Sequence, residues 1–276
     1  MRQHRLPIPG FTAALALTMT AGALTQATAA QAALSARDIM EKVTVTRKVD
    51  GSEAVVKMTI VGDKGQTRER EIAVATKVFD GGKTEKRVSR FLSPADVQGT
   101  AVLVFDYESK ADDVWIYLPA MRKTRRIVSS QGSQSFMGSE FTYSDLNIPA
   151  LDDFNYTLGK EEPCGAGETC WVIDVLPKSK ETADSEGYSK KTYWVTKDKF
   201  TAVRGLMYDK DGKLLKELVQ KDFKLLDPKN KRYRPMQMEM TNKQNGRRST
   251  FEFKKMSFMP NTKDDYFTTS YLERAQ

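Results

Sequence analysis

Apolar and polar positions alternate with a period of two along most of this chain, the pattern of strands that bury one face and wet the other. Such runs, or runs rich in β-branched and aromatic residues, predict strands over 54–61, 68–79, 84–92, 101–107, 114–118, 124–128, 154–158, 171–176, 191–196, 202–208, 214–224, 234–242 and 249–258. Between some of them stand Asp80-Gly81-Gly82, Asp211-Gly212 and Asn245-Gly246, which favour tight hairpins, so neighbouring strands should run antiparallel. A short helix is expected over 36–43, with Ser35 as N-cap and Asp38 in the capping-box position. In Met236-Gln237-Met238-Glu239-Met240 one face is all methionine, and Phe251-Glu252-Phe253-Lys254 repeats the pattern with phenylalanine. Across the Asn245-Gly246 hairpin these two apolar faces should coincide. No repeat or linker divides residues 33–276, which read as one mainly β domain on a single curved antiparallel sheet, apolar on one face and charged on the other. The helix and the non-strand segments 94–98 and 129–153 are the candidates to cover the apolar face.

Residues 1–32 differ in composition and are expected to be a cleavable export signal. Arg2 and Arg5 precede an apolar run over 11–24, and the small-residue pattern Ala30-Gln31-Ala32 places cleavage after Ala32. That run is about 14 residues, short of the roughly 20 that span a bilayer. Residues 33–276 are thus expected to be exported, and no cysteine follows the cleavage point to receive a lipid. Removing the leader takes two of the 44 basic residues and none of the 36 acidic ones, leaving a net charge of +6. It also removes His4, the only histidine. Without imidazole, Ser-His-Asp and Cys-His nucleophiles, histidine bases and histidine metal ligands are all excluded, and no metal or cofactor is expected.

The carboxylate pairs Asp112-Asp113, Asp152-Asp153, Glu161-Glu162 and Asp264-Asp265 are sequence neighbours, which point to opposite faces of a strand and make no ready acid/base dyad. There is no G-x-S-x-G elbow, P-loop or dinucleotide fingerprint, so the chain is not expected to be an enzyme. Cys164 and Cys170, six apart around a Gly-rich turn in an oxidising compartment, read as a structural disulfide at a hairpin tip. A redox pair is the alternative, although the spacing is not C-x-x-C. Ten methionines after the leader suit a surface that accepts variable apolar shapes. The same alternation equally suits an ordinary core.

More specific features lie within 89–146: Arg90-Phe91, Ser93-Pro94, Gly99-Thr100, Trp115-Ile116-Tyr117-Leu118-Pro119, Arg125-Arg126, Phe136-Met137-Gly138-Ser139 and Phe141-Thr142-Tyr143-Ser144-Asp145-Leu146. A weaker echo occurs at Tyr266-Phe267-Thr268 with Leu272. Together they resemble the outer-membrane lipoprotein-sorting (LolA-like) proteins, particularly the larger periplasmic members associated with RND- or MMPL-type exporters. The sequence departs from the family where Gly-Ser-Asp is common, because Glu140 supplies a longer carboxylate. The resemblance implies a half-open β-barrel of the LolA/LolB type, with short helices and a loop over its concave apolar face, that carries acyl chains of a lipid or lipoprotein through the periplasm. A sensor or adaptor domain of the same fold, binding a membrane protein, is the alternative. Cavity residues on this reading are Phe91, Trp115, Tyr117, Leu118, Met236, Met238, Met240, Phe251 and Phe253. The partners implied are acyl chains, an inner-membrane exporter and, peripherally, the membrane surface, but not nucleic acid.

The Ser/Gly-rich stretch 129–138 then reads as a mobile lid, with Phe136 and Met137 as its plug, Gly138 as hinge, and Phe141 and Tyr143 completing it. Arg125 and Arg126 alternate in a strand, so only one of them can face the cavity mouth, where a phosphate or a lid carboxylate such as Asp145 is its expected partner. A plain surface loop and a solvated basic face remain the simpler readings of these two segments.

Overall fold

The computed structural model describes residues 34–128, 131–165 and 167–274. The leader expected over 1–32, and Ser129 and Ser130 of the expected lid, lie outside the described residues. Ser35 caps helix α1 (Ala36–Arg47) through the anticipated reciprocal bonds with Asp38, and Ile39, Met40 and Val43 form its buried face. The chain then enters strands β1 (Gly51–Val61), β2 (Thr67–Phe79), β3 (Thr84–Ser93), β4 (Ala101–Tyr107), β5 (Asp113–Leu118) and β6 (Lys123–Ile127). A cover segment follows, containing the one-turn helix α2 (Tyr143–Leu146). Next come β7 (Phe154–Leu158), β8 (Glu162–Gly165), β9 (Glu168–Pro177), α3 (Lys180–Glu186), β10 (Lys190–Thr196), β11 (Ala202–Tyr208), β12 (Leu214–Asp227), β13 (Arg232–Asn242), β14 (Arg248–Phe258) and α4 (Thr269–Glu273).

All fourteen strands join one antiparallel sheet, in the order β6-β5-β4-β3-β2-β1-β14-β13-β12-β11-β10-β9-β7, with β8 also paired to β9. The chain starts at the middle, steps outward to the β6 edge, crosses to the β7 edge and returns until β14 lies beside β1. The edges do not meet, so the barrel is half open. The boundaries expected from alternation agree with the strands to within a few residues. β8 and α3 escaped that reading: the first holds only four residues and the second seven polar or small ones, too little for a periodic signal.

Met238 pairs with Phe251, and Phe251 pairs with Met58 of β1, so the methionine and phenylalanine faces coincide as the hairpin requires. With Val56, Ile60, Ile72, Phe91, Val102, Val104, Val114, Ile116 and Leu218 they make the concave core. Farther along the same face, α1 packs Ala36, Ile39, Met40 and Val43 on Phe154, Ile173, Val175 and Val195.

The opposite face is not charged throughout, contrary to expectation. Ala75, Val88, Ala101 and Leu103, flanked by Phe105, Trp115 and Tyr117, form a second apolar surface there, capped by Phe267 and Leu272 of the C-terminal segment. Arg90 donates to the carbonyls of Tyr271 and Leu272 and fastens this cap. The strands of this half are near-continuously buried, as in Ala101–Val104, because both faces are covered. Among the described residues no helix is long and apolar enough to cross a membrane.

Cys164 and Cys170 form the expected disulfide, joining β8 to β9 across their tight turn. Closing so small a loop should contribute only about 2–3 kcal/mol. The Cys164→Ser/Cys170→Ser double variant is therefore expected to fold with the wild-type circular dichroism spectrum and to unfold several degrees lower in a thermal scan. A variant that does not fold would show the bridge to be essential to the sheet edge.

Candidate functional site

The concave face is covered by a loop whose backbone is bonded to itself. From 132 to 144 the chain doubles back: Phe136 N–H donates to the Phe141 carbonyl (2.8 Å), Tyr143 N–H to Gln134 (3.2 Å) and Ser144 N–H to Gly132 (3.0 Å). Its tip turns at Met137 and Gly138, both left-handed, with φ of 52° and 77°. A side chain at Gly138 would meet nothing nearby, so this conformation and not space is what favours glycine. At the far end Thr142 and Asp145 form a capping box for α2.

The loop drives its aromatics into the core. Phe141, fully buried, stacks on Phe251 at 4.6 Å between centroids. Phe136 sits edge-on to Tyr143 (5.5 Å) and Phe251 (6.3 Å) and tilts over Phe91 (6.2 Å). Met137 is half-buried against the same cluster. Burying each phenylalanine contributes on the order of 2–3 kcal/mol, enough to hold a Ser/Gly-rich segment that would not order by itself.

Polar ties fix the loop from several sides. Arg70 of β2 donates to the Met137 carbonyl. Toward β12–β14, Lys216 Nζ donates to the Glu140 carbonyl (2.6 Å), Glu140 N–H to Ser249 Oγ (2.9 Å), and Asn242 Nδ2 to Glu140 Oε2 (3.2 Å). Arg247 Nε completes the set as an ion pair with Glu140 Oε1 at 3.0 Å. The carboxylate itself ties the loop to Asn242 at the end of β13 and to Arg247 in the turn that follows, while Lys216 and Ser249 hold the backbone of Glu140. Toward β10, the Tyr188 hydroxyl donates to Asp145 Oδ2 (2.9 Å). Burial, reinforced by Asp145, holds the Tyr188 phenol well above its ordinary pKa.

A buried ionic cluster clasps the end of the cover. Arg87 of β3 donates to the Leu146 carbonyl and to Asn147 Oδ1, each at 2.7 Å. Asn147 Nδ2 donates to Asp112 Oδ2 and the Ile148 N–H to Asp106 Oδ2, each at 2.6 Å. Glu85, 2% exposed, lies 3.9 Å from Arg87. Burial, then Asp112 and Glu85, push Asp106 well above the carboxylate range. Burial also pushes Asp112 up to about 6, against the bonds it accepts from Tyr107 N–H and Asn147. Of these groups the sequence drew notice only to Asp112, as one of a neighbouring carboxylate pair; that Glu85, Arg87 and Asp106 meet the end of the cover was not visible in it, because their partners lie far along the chain.

Two spaces flank the cover. A cleft of about 750 Å³ opens between Tyr107, Val114, Ile127 and Val128 on one side and α3 on the other, with 147–150 among its lining residues. A narrower space of about 70 Å³ lies between α1 and the cover, lined by Met40, Val43, Met207, Leu218 and Met238.

Of the expected cavity residues, Phe91, Leu118, Met236, Met238, Met240, Phe251 and Phe253 lie in or against the concave core. Trp115 and Tyr117 do not. They pair across from Leu103 and Ala101 and belong to the opposite face under the C-terminal cap. The alternation was right, but a second covered face was invisible in it. Arg125 pairs with buried Ile116 and so shares the concave side, whereas Arg126 shares the face of Trp115 and pairs with Asp113. Neither meets Asp145, whose Oδ2 accepts from Thr142 N–H and the Tyr188 hydroxyl.

Comparisons with known proteins agree with this architecture. A family model described only as an uncharacterized protein matches residues 83–274. A protein described as an outer membrane lipoprotein-sorting protein domain, from Vibrio parahaemolyticus, is 28% identical, with a TM-score of 0.78 over 87% of this chain and 98% of its own. A DUF1329 family protein from Desulfovibrio piger is 30% identical, with a TM-score of 0.78 over 86% of this chain and 97% of its own. A LolA superfamily protein from Nitrosomonas europaea, 20% identical with a TM-score of 0.66 over 87% of this chain and 100% of its own, shares the fold. No curated protein matches the chain. The chain belongs to the family of the DUF1329 protein, which it matches over nearly that protein's full length, and it has the half-barrel fold of the LolA-like proteins.

The clasp makes closure pH-dependent. Asp106 and Asp112 hold a proton more tightly where they are buried than when they are solvated, so their contribution to keeping the cover in place should be complete below about pH 4 and fall as pH rises, for Asp112 through about 6. Amide exchange over 146–148, corrected for its intrinsic pH dependence, should be faster at about pH 7.5 than at about pH 5, and Asp112→Asn should flatten that difference. A pH-independent protection factor in the wild type would refute the clasp's titration.

Proposed function

We propose that this protein is a periplasmic carrier that holds acyl chains of a lipid or lipoprotein against its concave face, with the 131–146 segment as the movable cover. The observation that carries this reading is the nature of the closure. An apolar face of Met and Phe side chains is plugged by Phe136, Phe141 and Met137 from a loop that bonds its own backbone and touches the sheet mainly through side chains. Such a loop can leave as a unit, and its polar anchors can exchange their partners for water at a net cost of about 1 kcal/mol each. The apolar face it uncovers then needs another occupant. At roughly 0.8 kcal/mol per buried methylene, an acyl chain replaces the lost aromatic contacts and more.

The 750 Å³ cleft beside the cover supplies a route. Its apolar side, Val114, Ile127 and Val128, adjoins the concave core through Val114, and Tyr143 stands between cleft and plug. A chain entering there would meet Tyr143 and then Phe136. The relatives' description as lipoprotein-sorting and LolA-superfamily proteins supports this class of cargo. An inner-membrane exporter as donor, and a cleaved leader delivering the chain to the periplasm, complete the proposal.

Mass spectrometry of the organic extract of natively purified protein should recover stoichiometric lipid. Phe136→Ala with Met137→Ala should leave the sheet folded, because neither residue belongs to a strand, and should accelerate transfer of a fluorescent acyl probe between protein and liposomes roughly tenfold, as expected from losing about 1–2 kcal/mol of competition for the site. Exchange over 131–146 should quicken when lipid binds. Lipid-free protein, with wild-type transfer and unchanged exchange in the variant, would make the loop a fixed part of the core and remove the carrier reading.

A further inference from the structure

β6 ends the sheet. It pairs with β5 on one side, and among the described residues no other strand lies beyond it. An unpaired antiparallel edge presents a row of alternating backbone donors and acceptors, a template that only another extended chain can complete. The strand and the residue before it are also the most basic stretch of the described sheet: Arg122, Lys123, Arg125 and Arg126 are all exposed, and among the described residues only Arg126 has an acidic partner, Asp113. At its two ends stand Met121 and Val128, 55% and 54% exposed, the most exposed large apolar side chains among the described residues. A guarded edge needs charge alone. Charge bracketed by two exposed apolar residues is complementary to something.

We infer that β6 is a docking edge for an acidic, extended segment of a partner protein, which adds as a fifteenth strand with its carboxylates against Lys123 and Arg125 and apolar residues over Met121 and Val128. Three observations set the orientation of this surface. α4 packs against β4, β5 and β6, and Glu273 ties it to the strand by accepting from Thr124 Oγ1 at 2.7 Å. Val114↔Ile127 is the last pair of the β5–β6 ladder, so the edge stays paired to the sheet along its whole length. Directly after it the chain runs through Val128, whose N–H donates to Gln131 Oε1 (3.3 Å), into the cover. A segment that pairs with β6 therefore pulls on the strand from which the cover springs, and both Ile127 and Val128 line the cleft. An anionic membrane could satisfy the charges but not the backbone, so a strand is the better complement. The edge stands as a docking surface whether or not the concave face carries acyl chains.

The test uses the full chain and a synthetic peptide of alternating Glu and Val, followed by isothermal titration. The peptide should bind and should slow amide exchange across 123–127. Alternate backbone N-methylation can be placed in either of two registers; one register should abolish binding and the other preserve it, as only an edge with one free side requires. Lys123→Glu with Arg125→Glu should weaken the acidic peptide roughly tenfold and favour its Lys-Val counterpart. Equal loss with both methylation registers, no binding by the peptide, or tight binding of phosphatidylglycerol vesicles that the peptide does not compete away, would each overturn the inference; the last would make β6 a membrane contact.

Discussion

An open sheet that keeps one broad apolar face without a second sheet to pack on is the constraint from which the rest of this structure follows. Fourteen strands curve around that face, but no strand closes it. Helix α1 covers one part and the 131–146 hairpin another, and where they fall short, spaces of about 70 and 750 Å³ remain. Covering a face with short, separately anchored pieces costs stability that a sandwich would gain, but it leaves the backbone pairing of the sheet independent of each piece.

The energetics of the cover are divided by type. Its hold on the core is apolar, through Phe136 and Phe141, whereas its position is set by charges and carbonyls: Arg70 at the tip, the Glu140 cluster on one flank and the Arg87 clasp at the end. Apolar contact alone would allow the loop to slide over a surface of interchangeable methionines. The polar anchors give it one address. Because Asp106 and Asp112 sit where burial disfavours their charge, that address is also sensitive to proton concentration.

Period-two alternation made most strands legible, and the Met236–Met240 and Phe251–Phe253 faces could be matched across their turn before any coordinates. The capping box at Ser35 and the disulfide were equally local, and equally readable. What alternation cannot report is whether the other face is wet. Trp115 and Tyr117 obey the period but lie under Phe267 and Leu272, which come from the far end of the chain. The anchors of the cover were hidden for the same reason. Arg70, Arg87 and Lys216 are single cations on strands, and their partners are carbonyls or residues 59 to 76 positions away. Only the composition of the loop, large apolar residues amid Ser and Gly, signalled that something dry lay beneath.

The seam between β1 and β14 has a further consequence. The first and last strands of the chain are neighbours at the centre of the sheet, so the ladder through Met58 and Phe251 has no partner until nearly the whole polypeptide is present. Contacts of such long sequence separation form slowly, since the loop between them must be closed before they reward it. On that side Met58 and Ile60 therefore have no strand partner until the C-terminal hairpin carrying Phe251 is present, and truncation anywhere before β14 would leave β1 as an exposed hydrophobic edge.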